Sequence, residues 1–195
     1  MEKQIERQII MSPLGDDDIK YYLPEATILK HSELKNFNKI EDLLPKHKSY
    51  AIILYESEKN KGHWTCIARY KNKKTKQHLI EFFDSLADNG MPDSELKWNN
   101  KETNKLLGQG KPLLKNLLQS SNIPVIYNKF KFQSDGNKKD GSNINTCGRH
   151  VVFRIKNLLD CNRDLEDYYK YLNDIKKDSK NTYDEIVAHL TPERH

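Results

Sequence analysis

Hydrophobic and polar positions follow two periods along this chain, one suited to strands and one to helices. Ser49-Tyr50-Ala51-Ile52-Ile53-Leu54-Tyr55 is a continuous apolar run, the pattern of a strand covered on both faces. His63 to Tyr70 and His78 to Asp84 are further strand-like runs, and the polar Lys71–Lys76 between them predicts an antiparallel hairpin. Val125 to Phe132 alternates in its later half and predicts another strand. Helical spacing appears elsewhere. Asp16-Asp17-Asp18 precedes Ile19 to Leu23 and Pro24 follows, which predicts a short helix with acids at its positive end. Ile40 to Leu44 before Pro45 suits a single helical turn. Leu113, Leu114, Leu117 and Leu118 form a stripe behind Pro112, a residue at home at a helix start. Val151, Val152, Ile155, Leu158 and Leu159 mark the most apolar helix, which opens at Cys147. Leu165, Tyr168, Leu172 and Ile175 line another, and Ile186, Val187 and Leu190 the last, behind a Thr182–Glu185 capping box. Ala87 to Gly110 is polar and punctuated by glycine and proline, so it reads as mostly loop, as does Ser134 to Asn145. A helix, a cluster of strands and then helices predict an α+β fold, with residues 1–195 as one domain.

Composition narrows the function classes. The 195 residues carry Lys+Arg 33 against Asp+Glu 28, a net charge of +5, mild and too diffuse to define a nucleic-acid-binding protein. Three cysteines, Cys66, Cys147 and Cys161, are too few for a disulfide framework and fit a reducing compartment. No apolar run approaches the ~18 residues of a membrane span. Met1 to Met11 carries Glu2, Lys3, Glu6 and Arg7 and lacks the apolar core of a signal peptide. A secreted toxin, a membrane protein and a fibrous repeat are therefore not expected.

Cys147 is the residue with chemistry to explain. It follows a polar loop and opens a buried helix, where unpaired N–H groups and the helix dipole stabilise a thiolate. Gly148 beside it leaves room for a substrate carbonyl to approach the backbone. A thiolate nucleophile needs a base, and the base an orienting group. His63 begins one strand of the predicted hairpin and Asp84 ends the other, so antiparallel pairing brings imidazole and carboxylate to the same end of the sheet. Their separation suits two strands of about 7–8 residues and one loop. His63-x-x-Cys66 with Cys147-x-x-His150 also has the look of a zinc set, which would make the chain a zinc-stabilised binding module. Residues three apart on a strand face opposite sides, however, so His63 and Cys66 chelate together only from a turn. Cys66 reads better as a core thiol, Cys161 as inert, and His150 as packing, substrate-binding or a second base.

Gly62-His63-Trp64, Phe82-Phe83-Asp84-Ser85-Leu86 and Thr146-Cys147-Gly148-Arg149-His150, in that order, resemble the cysteine proteases that include the adenovirus maturation protease and the SUMO-specific, ubiquitin-like-protein proteases. The resemblance covers about Ser12 to Asn162. It implies a mixed sheet packed on the helix that starts at the catalytic cysteine, with flanking helices. It implies His63 as general base, Asp84 as its orienter and Cys147 as nucleophile. It also implies an oxyanion-hole glutamine, for which Gln133 is the best placed, with Gln109 and Gln119 as alternatives. The activity implied is that of a cysteine endopeptidase needing no cofactor or metal. Among the family's branches, the short chain favours a viral or virus-like-element protease cutting capsid precursors after glycine. The alternative is an isopeptidase acting on SUMO or another ubiquitin-like protein. A monomer in the host cytoplasm or nucleus, packaged with the virion, fits this setting.

Arg69, Lys71, Lys73, Lys74 and Lys76 form a cationic stretch without an acid. A solvated hairpin loop accounts for it. Weak phosphate contact with DNA or RNA is the sharper reading, since the adenovirus enzyme uses DNA as a cofactor. Trp64, pointing away from His63 on its strand, is expected to pack beneath the site.

Overall fold

The computed structural model describes residues 8–87, 90–135 and 144–192. Its centre is a five-stranded mixed sheet in sequence order: β1 (Thr27–Lys30), β2 (Tyr50–Glu58), β3 (Lys61–Lys71), β4 (His78–Phe83) and β5 (Val125–Tyr127). β3 and β4 form the expected antiparallel hairpin, β2 pairs antiparallel on the other side of β3, and β1 and β5 add parallel to the two edges.

Helices cover both faces, and the side-chain period of two assigns each strand residue to one of them. Ile52 and Leu54 of β2 and Trp64, Cys66, Ala68 and Tyr70 of β3 face a core shared with α1 (Asp16–Tyr22), α5 (Cys147–Asp160), α6 (Leu165–Ser179) and α7 (Tyr183–Leu190). Ala51, Ile53 and Tyr55 of β2, Ile67 of β3 and Ile80 and Phe82 of β4 face the other core, against α2 (Ile40–Leu43) and α4 (Leu113–Gln119). This explains the unbroken apolar run in β2: alternate residues feed alternate cores. Each fully buried Ile or Leu contributes about 1.5–3 kcal/mol, so both helical layers are held firmly to the sheet.

Several elements depart from expectation. β1 is short, its positions alternate only weakly, and Thr27 is exposed, so its strand pattern is faint. The stretch read as loop holds a 3₁₀ turn at Ser94–Lys97 and α3 (Lys101–Leu106), the latter capped by Asn100 accepting from the Thr103 N–H. The strand expected to reach Phe132 stops at Tyr127. Beyond it the Asn128 side chain takes over the backbone pairing, with Oδ1 accepting from Asp84 N–H at 2.8 Å and Nδ2 donating to Asp84 C=O at 2.6 Å and Phe130 C=O at 3.1 Å. Freed from the sheet, Phe132 turns into the core against Phe83 and Tyr168. Part of the Ser134–Asn145 loop lies outside the described residues.

α5 is buried nearly all round, but its polar positions are partnered rather than apolar. Arg154 donates from Nε and a terminal nitrogen to the two oxygens of Glu81 on β4, at 2.6 and 2.7 Å, and Tyr70 donates to the same carboxylate at 2.8 Å. This two-pronged pair fixes the helix against the sheet. No helix among the described residues is long and apolar enough to cross a membrane.

Candidate active site

Gly62 sets where β3 begins relative to β2. A Cβ there would lie 1.8 Å from the carbonyl oxygen of Tyr55, so only glycine allows the strands to approach this closely. His63 comes next, paired across the ladder with Tyr55, and Asp84 follows directly after β4. His63 Nε2 meets Asp84 Oδ1 at 2.6 Å, and both side chains are buried. The same carboxylate oxygen accepts the Leu86 N–H at 2.9 Å, which closes the turn and fixes its direction.

Cys147 is the first residue of α5 and is buried. Its thiol and the His63 ring lie in hydrogen-bonding reach, and main-chain N–H groups of Trp64 and Gly148 point at the sulfur. With Nε2 held by Asp84, the other ring nitrogen is left for the thiol. Burial works against both charges. For Cys147 it would raise the pKa, yet the His63 ring and the two N–H groups hold the thiol below its ordinary value. For His63 burial would lower the pKa, yet the Asp84 charge and hydrogen bond, helped by Cys147, hold it well above the usual imidazole range. Opposed shifts of this kind describe a thiolate–imidazolium pair with a carboxylate behind it.

Gly148 also serves the packing of the site. A Cβ there would sit 3.1 Å from Leu14 Cβ and 3.2 Å from Trp64 Cδ1, so the glycine lets the start of α5 close onto β3 and the segment before α1. Trp64 lies beneath the site, buried, its indole N–H donating to the Leu14 carbonyl at 3.0 Å.

Gln133 bridges the two halves of the site. Its Oε1 accepts from Ser85 Oγ at 2.8 Å, one residue past Asp84, and its Nε2 donates to the Ile144 carbonyl at 2.9 Å, three residues before Cys147. The amide has two hydrogens, and this bond uses one. Gln109 and Gln119 lie elsewhere. Gln109 is tied to both the N–H and the C=O of Glu56, and Gln119 is exposed at the end of α4.

The four residues of the zinc alternative do not share a site chemistry. His63 Nε2 is on Asp84, His150 Nε2 is on Asp184 at 3.1 Å, and Cys66 is a core thiol that burial pushes far up. No group of three potential metal ligands occurs among the described residues. His150 is fully buried, packed against Phe132.

Asp184 carries no sequence signal beyond an acid in the first turn of a helix. It accepts from Thr146 Oγ1, from His150 Nε2 and, on its second oxygen, from the Ser134 N–H at 3.0 Å. One carboxylate thus ties the residue before Cys147, the residue one turn after it and the residue after Gln133. Burial would raise its pKa, but these donors, His150 foremost, hold it low. Sequence reasoning also missed Glu95 and Trp98. In the 3₁₀ turn, residues three apart lie one above the other, and both line a cleft of about 520 Å³ with Leu14, Gly15, His63 and Trp64.

In the cationic stretch, Arg69 donates to the carbonyls of Leu44 and Pro45, while Lys74 pairs with Glu166 at 2.7 Å and Lys73 lies 3.9 Å from Asp167. Lys71 and Lys76 are exposed.

No family model matches the sequence. It is 34% identical over 167 residues to a Sputnik virophage protein named Uncharacterized protein V9, with 86% of each chain covered. Among solved structures, a de-sumoylating protease is similar over 93% of this chain and 80% of its own, at 13% identity and a TM-score of 0.37. The Rickettsia bellii effector RickCE is similar over 84% of this chain and 57% of its own, at 17% identity and a TM-score of 0.35.

Proposed function

The chain belongs to the family of the Sputnik virophage protein V9, and we propose that it is a cysteine endopeptidase of a viral or virus-like element. The observation with most weight is the aligned Cys147, His63 and Asp84, with the thiol shifted down and the imidazole up. The Cys147 thiolate attacks a peptide carbonyl carbon while His63 holds the proton. We assign stabilisation of the oxygen that becomes negative to the second amide hydrogen of Gln133 and to the Cys147 N–H, which opens its helix and has no acceptor within it. His63 then passes its proton to the leaving amine, and a thioester remains on Cys147. Water, activated by the neutral His63, hydrolyses that acyl-enzyme and restores the thiol. Capsid precursors, cut after glycine in an extended segment, are the substrates we put forward, and a virophage relative supports that setting.

Mixing wild-type and Cys147→Ala protein with the structural precursor proteins of the same element, then sequencing the new N-termini, tests this. Cleavage after glycine by wild type alone is expected. Absence of cleavage would overturn the maturation role, and efficient labelling of Cys147 by a SUMO-based covalent probe would replace it with an isopeptidase.

A further inference from the structure

Glu95 is 2% exposed, and beyond its own main-chain N–H its carboxylate has no hydrogen-bond partner among the described residues. A buried carboxylate that no other residue serves with a donor is costly and calls for an explanation. Its position supplies one. The 3₁₀ turn that carries it is anchored by Asp93, which holds a left-handed backbone conformation at φ 67°. Asp93 accepts from Tyr55 at 2.8 Å and from the Lys115 N–H at 2.8 Å, and pairs with His31 at 2.8 Å. Glu95 is thus held in the wall of the cleft, and Trp98, one 3₁₀ turn on, is 48% exposed with its ring edge-on to His63 at 5.1 Å.

We infer that Glu95 and Trp98 form a receptor for a lysine or arginine side chain of the protein substrate, seated beside the catalytic imidazole. The inference deepens the endopeptidase reading and rests on it for the identity of the ligand as a peptide. A cation there meets a carboxylate that no other residue's donor occupies, with the Trp98 indole in the same wall. Of the other acids lining the cleft, Asp16 is exposed in the first turn of α1, and Glu56 is already taken, by Lys30 at 3.1 Å and by the Asn60 N–H at 2.7 Å. Lys61 stands at the rim, and its ammonium turns toward Glu58, 3.7 Å away. Burial and the neighbouring Asp84 push the Glu95 carboxyl up to about 8, against the opposing pull of its own main-chain N–H and of His63, so without a bound cation it is largely protonated at neutral pH. Entry of a substrate cation releases that proton to solvent and leaves a neutral pair. The charge felt by His63 and Asp84 is then nearly unchanged, so a basic residue is accommodated without disturbing the thiolate–imidazolium pair.

The experiment measures binding apart from turnover. Cys147→Ala protein is titrated with fluorescent glycine-containing peptides in which one arginine is walked through the positions flanking the glycine, with alanine and glutamate controls. At one position arginine and lysine should bind about tenfold more tightly than alanine, and that ratio should fall to near one in the Glu95→Gln background. Glu95→Gln breaks no hydrogen bond, so its melting temperature should equal or exceed that of the parent. Trp98→Leu, at a half-exposed position, should reduce the ratio without removing it. Equal binding of arginine and alanine peptides at every position overturns the receptor, as does a ratio that survives Glu95→Gln. Wild-type protein is run on the same peptides. Arginine-selective binding with no cleavage would sink the protease reading and leave the receptor standing, whereas cleavage without selective binding would do the reverse.

Discussion

Replacing Asp84 by Asn removes one charge from the site and little else. Oδ1 accepts from both His63 and the Leu86 N–H, and the Asp84 main chain stays clamped by Asn128, so an amide oxygen in the same place preserves the turn. What disappears is the attraction between carboxylate and imidazolium. At an effective dielectric of about 20, unit charges about 4 Å apart attract by about 4 kcal/mol; allowing for partial screening, the ion pair loses about 10²–10³ in population. The sign follows from the two shifts. In the wild type the pair persists from the lowered Cys147 value up to the raised His63 value. Without Asp84 the His63 value falls toward that of Cys147, so the window closes from above and the neutral thiol–imidazole pair takes over. The rate of iodoacetamide alkylation at Cys147, followed against pH by mass spectrometry, reads this directly, with exposed Cys161 as an internal reference. Wild type should react on a plateau that extends to mildly acidic pH. Asp84→Asn should react about 10²–10³ more slowly at neutral pH and climb only toward the ordinary thiol range, with a nearly unchanged melting temperature. An unaltered pH profile would refute the electrostatic role of Asp84.

Gln133→Ala should lower kcat by about 10²–10³ with little change in KM; steady-state rates within about twofold of wild type would remove it from the oxyanion site. Gly62→Ala must push β3 away from the Tyr55 carbonyl, at a cost of about 3 kcal/mol, and a melting temperature lower by about 6–12 °C is expected; an unchanged melt would contradict the close approach. Asp184→Asn turns one acceptor oxygen into a donor and leaves a buried donor among Thr146, His150 and Ser134 unpaired, a loss of about 1–3 kcal/mol. Steady-state kinetics should show kcat falling more than KM rises, and an effect confined to the melting temperature would mark Asp184 as structural only.

Much of this protein was legible without coordinates wherever a local pattern carried the information. The apolar run of β2, the His63–Asp84 hairpin geometry and the helix opening at Cys147 are set by short-range periodicity, and an antiparallel pairing converts two chain positions into one sheet edge. Gln133 was legible as a candidate only by resemblance. Its bridge between Ser85 and Ile144 depends on the chain leaving the sheet at Asn128, whose side chain imitates a strand backbone in a way no periodicity reports. Asp184 and Glu95 lay beyond sequence reasoning for a different reason. Each is an unremarkable acid among its neighbours, and its character comes from groups distant in the chain that burial brings near. Three donors from other residues converge on Asp184 and, among the described residues, none on Glu95. Local sequence decides which atoms a residue has and which way its strand or helix points it. Only tertiary packing decides how far water is excluded and which charges remain nearby, and those two quantities set whether an acid anchors a site or waits for a ligand.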